Sequence, residues 1–388
     1  MANEENVRSA AAHMPVELID TGSRSPQPQP GMALCLSGGG YRAMLFHVGA
    51  LWRLNDVGLL PKIARISSVS GGSITAGILG LKWTTLAFNA AGVAQRFNAE
   101  VVDPIRLLAS KTIDATAILS GTLLPGSIGD QVSAAYRKYL FADATLQDLP
   151  DQPRFVINAT NVQSGALWRF MKPYMRDYRV GEVQQPTISL ATAVAASAAF
   201  PPALSPVTLE LHNSDFVPHS GQDLQREPFT TEVVLTDGGV YDNLGLETAW
   251  KRYTTILVSD GGGKMEAEAE PKHDWARHSY RILNLIDNQV RSLRKRQAIE
   301  SFKSHQREGA YWGIRTNIAD YQLADALDCP FARTMALAQI PTRLKRLEPE
   351  VQERLINWGY AVCDAALRKH VDPTLARPGD FVYPQVRV

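Results

Sequence analysis

Ser70 lies between an apolar run that predicts a strand and an apolar repeat that predicts a helix. Its close neighbours are small, with Ser68 two residues before it and Gly71 and Gly72 directly after it. Small residues allow the tight strand-to-helix turn known as a nucleophile elbow, where larger side chains would collide. The same pattern is also compatible with an ordinary turn rich in serine and glycine. A serine hydrolase would further need a base and hydrogen-bond donors for an oxyanion.

The run Gly38-Gly39-Gly40 directly follows the apolar segment Met32–Leu36, which predicts a buried strand. Without Cβ atoms, this backbone can approach an acyl group and point successive N–H groups at one oxygen. A parallel strand beside the one before Ser70 would bring the run next to the serine. The run lacks the Gly-Lys-Ser/Thr of a phosphate-binding loop and the spacing of a dinucleotide fingerprint. A nucleotide-binding function is therefore disfavoured.

Asp237 is a candidate base, because it ends the apolar run Val233–Thr236 and is followed by two glycines. A carboxylate can take the serine proton if it lies within hydrogen-bond reach. It is a weaker base than imidazole, so partial burial that raises its pKa would help. A triad that uses His273 or His278 is the chemically close alternative.

Two strand-turn-helix units in succession, one at each site motif, predict a parallel sheet with helices on both faces. We therefore predict an α/β fold, a three-layer α/β/α sandwich with a mostly parallel central sheet and extra C-terminal helices. The Pro- and Gln-rich residues 1–31 predict a flexible arm, and 32–265 the catalytic domain. Within it, residues 86–150 predict a helical insertion or lid. Residues 266–388 predict a helical part packed on the same domain.

Bulk composition limits the function classes. The chain has 388 residues with a net charge of +1, which gives no indication of a nucleic-acid partner. Its three cysteines are too few and too scattered for a disulfide framework or a metal cluster, and we expect no metal and no cofactor. We find neither a secretory signal nor a run of about 18 apolar residues that could span a membrane. The expected location is cytoplasmic, with transient membrane association; the composition does not indicate an oligomeric state.

Four basic residues near residue 290 are candidates for membrane contact: Arg291, Arg294, Lys295 and Arg296. They oppose an apolar stripe on a predicted helix. Basic residues near an anionic lipid surface contribute about 1 kcal/mol each. A solvated helix face is the alternative interpretation.

Four motifs occur here in the order found in the patatin-like phospholipases: Ser37-Gly38-Gly39-Gly40-Tyr41-Arg42-Ala43, the Ser70 elbow, Ala196-Ser197-Ala198-Ala199-Phe200-Pro201 and Asp237-Gly238-Gly239. The first also resembles the glycine motif of the cytosolic phospholipase A2 enzymes. The resemblance covers about residues 32–265. One departure is Ser68, which stands where the family's elbow usually has its first glycine.

This resemblance implies a Ser70–Asp237 dyad without histidine, and an oxyanion hole in Gly38–Gly40 built from the Gly39 and Gly40 amides. It implies that Arg42 either holds this loop or meets a lipid phosphate. The implied activity is metal-free hydrolysis of acyl esters in phospholipids or related lipids. A triad esterase and a non-catalytic lipid-binding module remain the alternatives.

Overall fold

The computed structural model describes residues 28–113, 128–202 and 204–388. Most of the predicted arm, residues 1–27, lies outside this range, as does the segment 114–127 of the predicted insertion. The first strand begins at Gln29, three residues before the predicted start at Met32. The Gln29 N–H donates to the Arg252 carbonyl at 2.9 Å, so the sheet ladder extends into the end of the predicted arm.

The strands within the described residues are β1 (Gln29–Leu36), β2 (Ile63–Ser68), β3 (Arg154–Asn161), β4 (Leu167–Phe170), β5 (Tyr174–Asp177), β6 (Gly181–Gln184), β7 (Val207–Glu210), β8 (Glu232–Asp237), β9 (Tyr253–Asp260) and β10 (Glu308–Gly313). The α-helices of the same residues are α1 (Gly40–Asp56), α2 (Gly71–Lys82), α3 (Asp103–Ala109), α4 (Ile128–Tyr136), α5 (Leu190–Ser197), α6 (Gly239–Asp242), α7 (Glu247–Trp250), α8 (Trp275–Lys303), α9 (Phe331–Ala338) and α10 (Pro349–His370). None of the helices in the described ranges combines the length and apolarity that crossing a membrane requires.

These strands form one mixed sheet of ten, in the order β10-β9-β1-β2-β3-β4-β5-β6, with β8 also paired to β3 and β7 to β8. Strands β10, β9, β1, β2 and β3 are parallel. The pairs that involve β4 to β8 are antiparallel. The predicted α/β fold is confirmed, with the refinement that the parallel arrangement is confined to one half of the sheet.

Helices cover both faces of the parallel half, and alternate residues of β1 show how. Leu34 and Leu36 belong to a large apolar cluster with α1, α2 and α10, whereas Ala33 and Cys35 belong to a smaller cluster on the other face. Both sets are fully buried, because a parallel strand in this architecture has helices on each side. The central strand is therefore continuously apolar, as its sequence indicates.

The C-terminal part, predicted as helical, also contributes a strand. β10 pairs in parallel with β9 and extends the central sheet. Helix α10 crosses α1 at two glycines: a Cβ on Gly49 would lie 1.9 Å from the Ile356 carbonyl oxygen, and one on Gly359 would lie 1.9 Å from that of Phe46. The C-terminal part is thus integrated with the parallel half of the sheet.

The described residues of the predicted insertion are core elements. Side chains from α3 and α4 are buried in the large apolar cluster, among them Ile105, Leu108 and Val132. The predicted insertion also contains four apolar residues that lie outside the described residues: Ile118, Leu119, Leu123 and Leu124.

Candidate active site

Three strand ends meet at one edge of the sheet and bring the predicted site residues together. Leu36 pairs with Ser68, so the turns after β1 and β2 are neighbours. Asp237 is the last residue of β8 and pairs with Ala159 of the neighbouring strand in the sheet, β3. A Cβ on Gly38 would lie 3.2 Å from the Ser70 Cβ, which shows how closely the two turns approach.

The turn at Ser70 is a sharp elbow. Ser70 has φ 51° and ψ −119°, a backbone conformation that residues other than glycine rarely adopt. It directly precedes helix α2. A Cβ on Gly71 would lie 2.3 Å from the Gly40 carbonyl oxygen, and one on Gly72 would lie 2.4 Å from that of Leu36. The small residues predicted around the serine are therefore required by the close approach of the two turns.

Ser68, where the family pattern usually has glycine, fits because its hydroxyl is used internally. It donates to the Val156 carbonyl at 3.2 Å and accepts from the Ser73 hydroxyl at 3.0 Å. The residue is fully buried. A buried hydroxyl that both donates and accepts a hydrogen bond costs little free energy of folding. The elbow therefore tolerates serine at this position.

The Asp237 carboxyl lies beside Ser70 and is almost fully buried. Its Oδ1 accepts the Gly239 N–H at 2.6 Å. Burial raises its pKa to about 7, although hydrogen bonds from the Gly239 amide and the Ser70 side chain oppose this rise. A carboxylate with this pKa can both take and return a proton near neutral pH.

The glycine run offers two amides that have no hydrogen-bond partner in the described residues, those of Gly39 and Gly40. The Gly38 N–H, by contrast, donates to the Asn243 carbonyl at 3.1 Å. Gly39 has φ 145° and Gly40 φ 61°, values that only glycine adopts without strain. Of the three glycines, Gly39 lines the cavity that contains Ser70.

Arg42, in the first turn of α1, donates hydrogen bonds to two neighbouring segments of the chain. Its Nε donates to the Gly261 carbonyl at 3.1 Å, Nη2 donates to the Thr342 hydroxyl at 2.9 Å, and Nη1 donates to the Ile340 carbonyl. The side chain is buried, and burial lowers the pKa of the guanidinium to about 10. Its partners lie outside the glycine loop, and both predicted roles of Arg42 stay predictions.

A cavity of about 670 Å³ opens onto Ser70 and Asp237. Its far wall is α8 together with the segment 263–268. No histidine of the described residues lines it, and His273 and His278 are exposed outside it. In the same part of the chain, no group of three or more His, Cys, Asp or Glu residues could hold a metal ion.

The buried histidine closest to the glycine turn in sequence, His47, lies behind it. Its Nε2 donates to the Ser37 carbonyl at 2.9 Å, and its Nδ1 accepts from the Ser259 hydroxyl at 2.8 Å. Burial lowers its pKa to about 4, so the ring is neutral at physiological pH. Its interactions support the backbone of the turn.

Sequence reasoning singled out the motif around Ser197 but assigned this serine no contact. Its hydroxyl accepts the Ser70 N–H at 3.0 Å and donates to the Asn158 carbonyl at 2.6 Å. Asn158 in turn donates through its side chain to the Ser68 carbonyl at 2.9 Å. The sequence shows Ser197 at the end of a predicted helix and Asn158 in a predicted strand, but it does not indicate that the two residues meet. Only the tertiary structure brings them together at the elbow.

The four basic residues predicted for membrane contact point in different directions. Arg291 lines the cavity. Arg294 pairs with Glu247 at 3.0 Å, and the Lys295 amine lies 4.6 Å from the centroid of the Tyr311 ring. Arg296 is exposed. Membrane contact by these residues stays a prediction, and they do not form one continuous face.

The structure thus brings a serine elbow, a glycine turn and a buried aspartate together at one edge of an α/β sheet. The patatin-like phospholipase family model matches residues 34–250, more than half of the chain. The chain therefore belongs to the patatin-like phospholipase family. A search of curated proteins gives no match.

Solved structures with a similar fold include two of human GIVD cytosolic phospholipase A2. The complex with methyl gamma-linolenyl fluorophosphonate is 14% identical over 87% of this chain and 57% of that chain, with a TM-score of 0.48. Another structure of the enzyme is 14% identical over 62% of this chain and 49% of that chain, with a TM-score of 0.37. The chain thus spans about half the length of these human chains. VipD from Legionella pneumophila is 16% identical over 93% of this chain and 73% of that chain, with a TM-score of 0.33.

Proposed function

We propose that this protein hydrolyses acyl esters of lipids through a Ser70–Asp237 dyad. The observation that carries the proposal is that Ser70 and Asp237 line the same cavity, close enough for the serine side chain to act on the carboxyl, and that no described histidine lines this cavity. Burial raises the pKa of Asp237 to about 7, which suits a general base at neutral pH. The alternative, a triad esterase, needs a histidine beside Ser70, and no histidine of the described residues lines the cavity.

In the first half-reaction, the Asp237 carboxylate takes the Ser70 proton and the serine Oγ attacks the ester carbonyl carbon. The carbonyl oxygen becomes an oxyanion, which the Gly39 and Gly40 amides receive as hydrogen-bond donors. Ser70 also precedes the first turn of α2, where the helix dipole favours negative charge. When the tetrahedral intermediate collapses, the alcohol leaves with the proton from Asp237, and the acyl group remains on Ser70.

In the second half-reaction, Asp237 takes a proton from water, which attacks the acyl-enzyme carbonyl. The same amides stabilise the second oxyanion. Collapse releases the carboxylic acid and returns the proton to the Ser70 oxygen. A single carboxyl group therefore acts alternately as base and acid in both halves.

The polar wall of the cavity supports a substrate that carries an anionic group, such as a phospholipid. Arg281 pairs with Glu268 at 2.7 Å, and Arg277 with Asp274 at 2.6 Å. Arg291 lines the same cavity, where its charge favours the ionised carboxylates of Asp260 and Asp287. A guanidinium on the cavity wall suits a phosphate oxygen of the substrate.

Incubation of the pure protein with mixed phospholipids and neutral lipids, followed by mass analysis of the products, tests this function. We expect free fatty acid and the matching deacylated lipid from the native chain, and neither product from Ser70→Ala. Ser214→Ala, which changes an exposed serine away from the cavity, is the matched control. Equal product from native and Ser70→Ala protein would refute the proposal.

A further inference from the structure

Helix α8 carries its apolar residues on the side that points away from the cavity. Of its 29 residues, only Ala298 and Ser301 are buried. The stretch from Trp275 to Leu293 contains charged residues only at positions that line the cavity: Arg277, Arg281, Asp287 and Arg291. Its exposed side chains include large apolar ones, namely Trp275 (84% exposed), Ile282 (42%), Leu285 (43%), Ile286 (53%) and Leu293 (59%). The usual polarity of a surface helix is therefore reversed.

The residues along the middle of this outer face have the spacing of a coiled-coil seam. Successive members are four, three, four, three and four residues apart, and we call them the outer stripe: Trp275, Ser279, Ile282, Ile286, Gln289 and Leu293. A seam with this alternation faces a second helix along its whole length. Single exposed apolar residues are common on protein surfaces, but a contiguous stripe indicates an interface.

The outer stripe is symmetric about Asn284. Trp275 and Leu293 are equally distant from it in sequence, as are Ser279 and Gln289, and also Ile282 and Ile286. We propose that the outer stripe is the seam of a homodimer, in which two copies of α8 pack antiparallel across a two-fold axis level with Asn284. In a two-fold interface each residue meets its counterpart reciprocally. Tryptophan then faces leucine, serine faces glutamine, and isoleucine faces isoleucine.

Charge supports the antiparallel direction. The last third of α8 is basic, with Lys295 and Arg296 exposed. Residues 266–274 before the helix carry four acidic side chains and one basic one, Lys272, and Asp274 among them already pairs with Arg277. The start of the helix is therefore acidic on balance. Antiparallel packing places the basic end of one copy beside the acidic start of the other. Parallel packing would bring the two basic ends together, which is unfavourable.

The polar members of the outer stripe favour a second helix over a lipid surface. In an apolar lipid layer, the side chains of Ser279 and Gln289 would lose water without gaining a partner, which costs free energy. In the antiparallel pair they lie opposite each other and can hydrogen-bond. Since the other face of α8 is a wall of the cavity, the pairing also braces that wall.

The mass of the full-length chain in solution, measured by light scattering at micromolar concentration, tests the proposal. We expect twice the mass of one chain for the native protein and for Val162→Glu, which changes an exposed apolar residue on another surface (56% exposed). We expect the mass of one chain for Ile286→Glu, because a charge on the seam is desolvated in the dimer. A monomeric native chain, or a dimer that Ile286→Glu leaves intact, would overturn the proposal.

Disulfide cross-linking tests the direction. Cys35, Cys329 and Cys363 are buried and free, so an introduced surface cysteine is the reactive one. Trp275→Cys and Leu293→Cys chains should cross-link when mixed and not when oxidised separately, because residues 275 and 293 of one helix are about 27 Å apart. Cross-linking of either variant with itself contradicts the antiparallel seam. A monomer that binds zwitterionic vesicles, and loses this binding in Ile286→Glu, would assign the stripe to lipid and overturn the dimer.

Discussion

The Ser197 hydroxyl accepts a hydrogen bond from the backbone N–H of Ser70 at 3.0 Å. The carbonyl of the same residue accepts the Gly238 N–H at 3.3 Å, directly after Asp237. One residue at the end of α5 thus holds both turns that carry the proposed dyad. Ser197 does not line the cavity, so it acts on the reaction through the positions of Ser70 and Asp237.

Ser197→Ala is expected to lower kcat about tenfold and leave KM nearly unchanged, since a lost hydrogen bond of about 1 to 2 kcal/mol would loosen the elbow. Its matched control is Ser189→Ala, which removes the cap of the same helix and costs about 1 kcal/mol of stability. Both variants should melt earlier than the native chain. If Ser189→Ala lowers kcat as much as Ser197→Ala, the effect is general destabilisation.

The activity should depend on the ionisation of Asp237. Burial raises its pKa to about 7, and only the carboxylate can take the serine proton, so kcat/KM should fall as the pH drops through about 7. Measurement of kcat/KM between pH 4 and 9 with an uncharged ester checks this. An activity that is constant down to pH 5 would exclude Asp237 as the base.

The same group should lower the stability of the protein at high pH. The ordinary pKa of an aspartate is 3.8, whereas the pKa of Asp237 in the folded chain is about 7. The folded protein therefore binds more protons between these values, and stability falls as the pH rises through this window. Asp237→Asn should be inactive yet more stable than the native chain at pH 8, by an amount on the order of a few kcal/mol. The advantage should disappear below pH 4, and chemical denaturation at pH 8 and at pH 4 provides the comparison.

The parts of the site that could be predicted from sequence are those set by short-range sterics. Ser70 needs small neighbours wherever a strand turns sharply into a helix, and the glycines after Leu36 and Asp237 mark two more turns. The partners of these turns come from distant segments. Asn158 and Ser197 contact the elbow only because β3 and α5 pack beside it, and no local pattern specifies that packing.

Gly39→Ala should reduce kcat by about a hundredfold or more, the usual effect of losing one oxyanion donor. Gly39 has φ 145°, and a Cβ there would lie 2.8 Å from the Gly261 carbonyl oxygen, so the loop has to move. Gly165→Ala is the control, because Gly165 also has a positive φ, of 69°, but no atom lies within 4 Å of an added Cβ. Full activity in a folded Gly39→Ala protein would exclude this amide as a donor.

Arg42→Lys should lower kcat about tenfold on phospholipids and on neutral esters alike, because a lysine cannot replace the planar fork that binds Gly261 and Thr342. Arg291→Gln should instead weaken phospholipid hydrolysis selectively, since Arg291 lines the cavity. Steady-state kinetics on both substrate types separates the two arginines. A selective loss of phospholipid activity in Arg42→Lys would mean that Arg42 contacts the substrate.

The C-terminal third shows why amphipathic patterns alone mislead. The apolar stripe of α8 predicts the helix, whereas the structure shows that its charged residues Arg277 and Arg281 face the cavity and that apolar residues such as Ile286 are exposed. The spacing of the apolar residues correctly predicts that the segment is a helix. It contains no information about which face of the helix points inward. Strand β10 escaped prediction because its segment is short, with Gly309 inside it and Gly313 at its end, and it is stabilised by pairing with β9.

Detection of the acyl-enzyme shows which residue carries the acyl group during turnover. The protein is mixed with a slowly deacylated ester, quenched in acid during turnover and digested, and the peptides are analysed by mass spectrometry. We predict the acyl group on Ser70 in the native chain, and on no residue in Ser70→Ala or Asp237→Asn. An acyl group on another residue, or product formation by Ser70→Ala, would exclude Ser70 as the nucleophile.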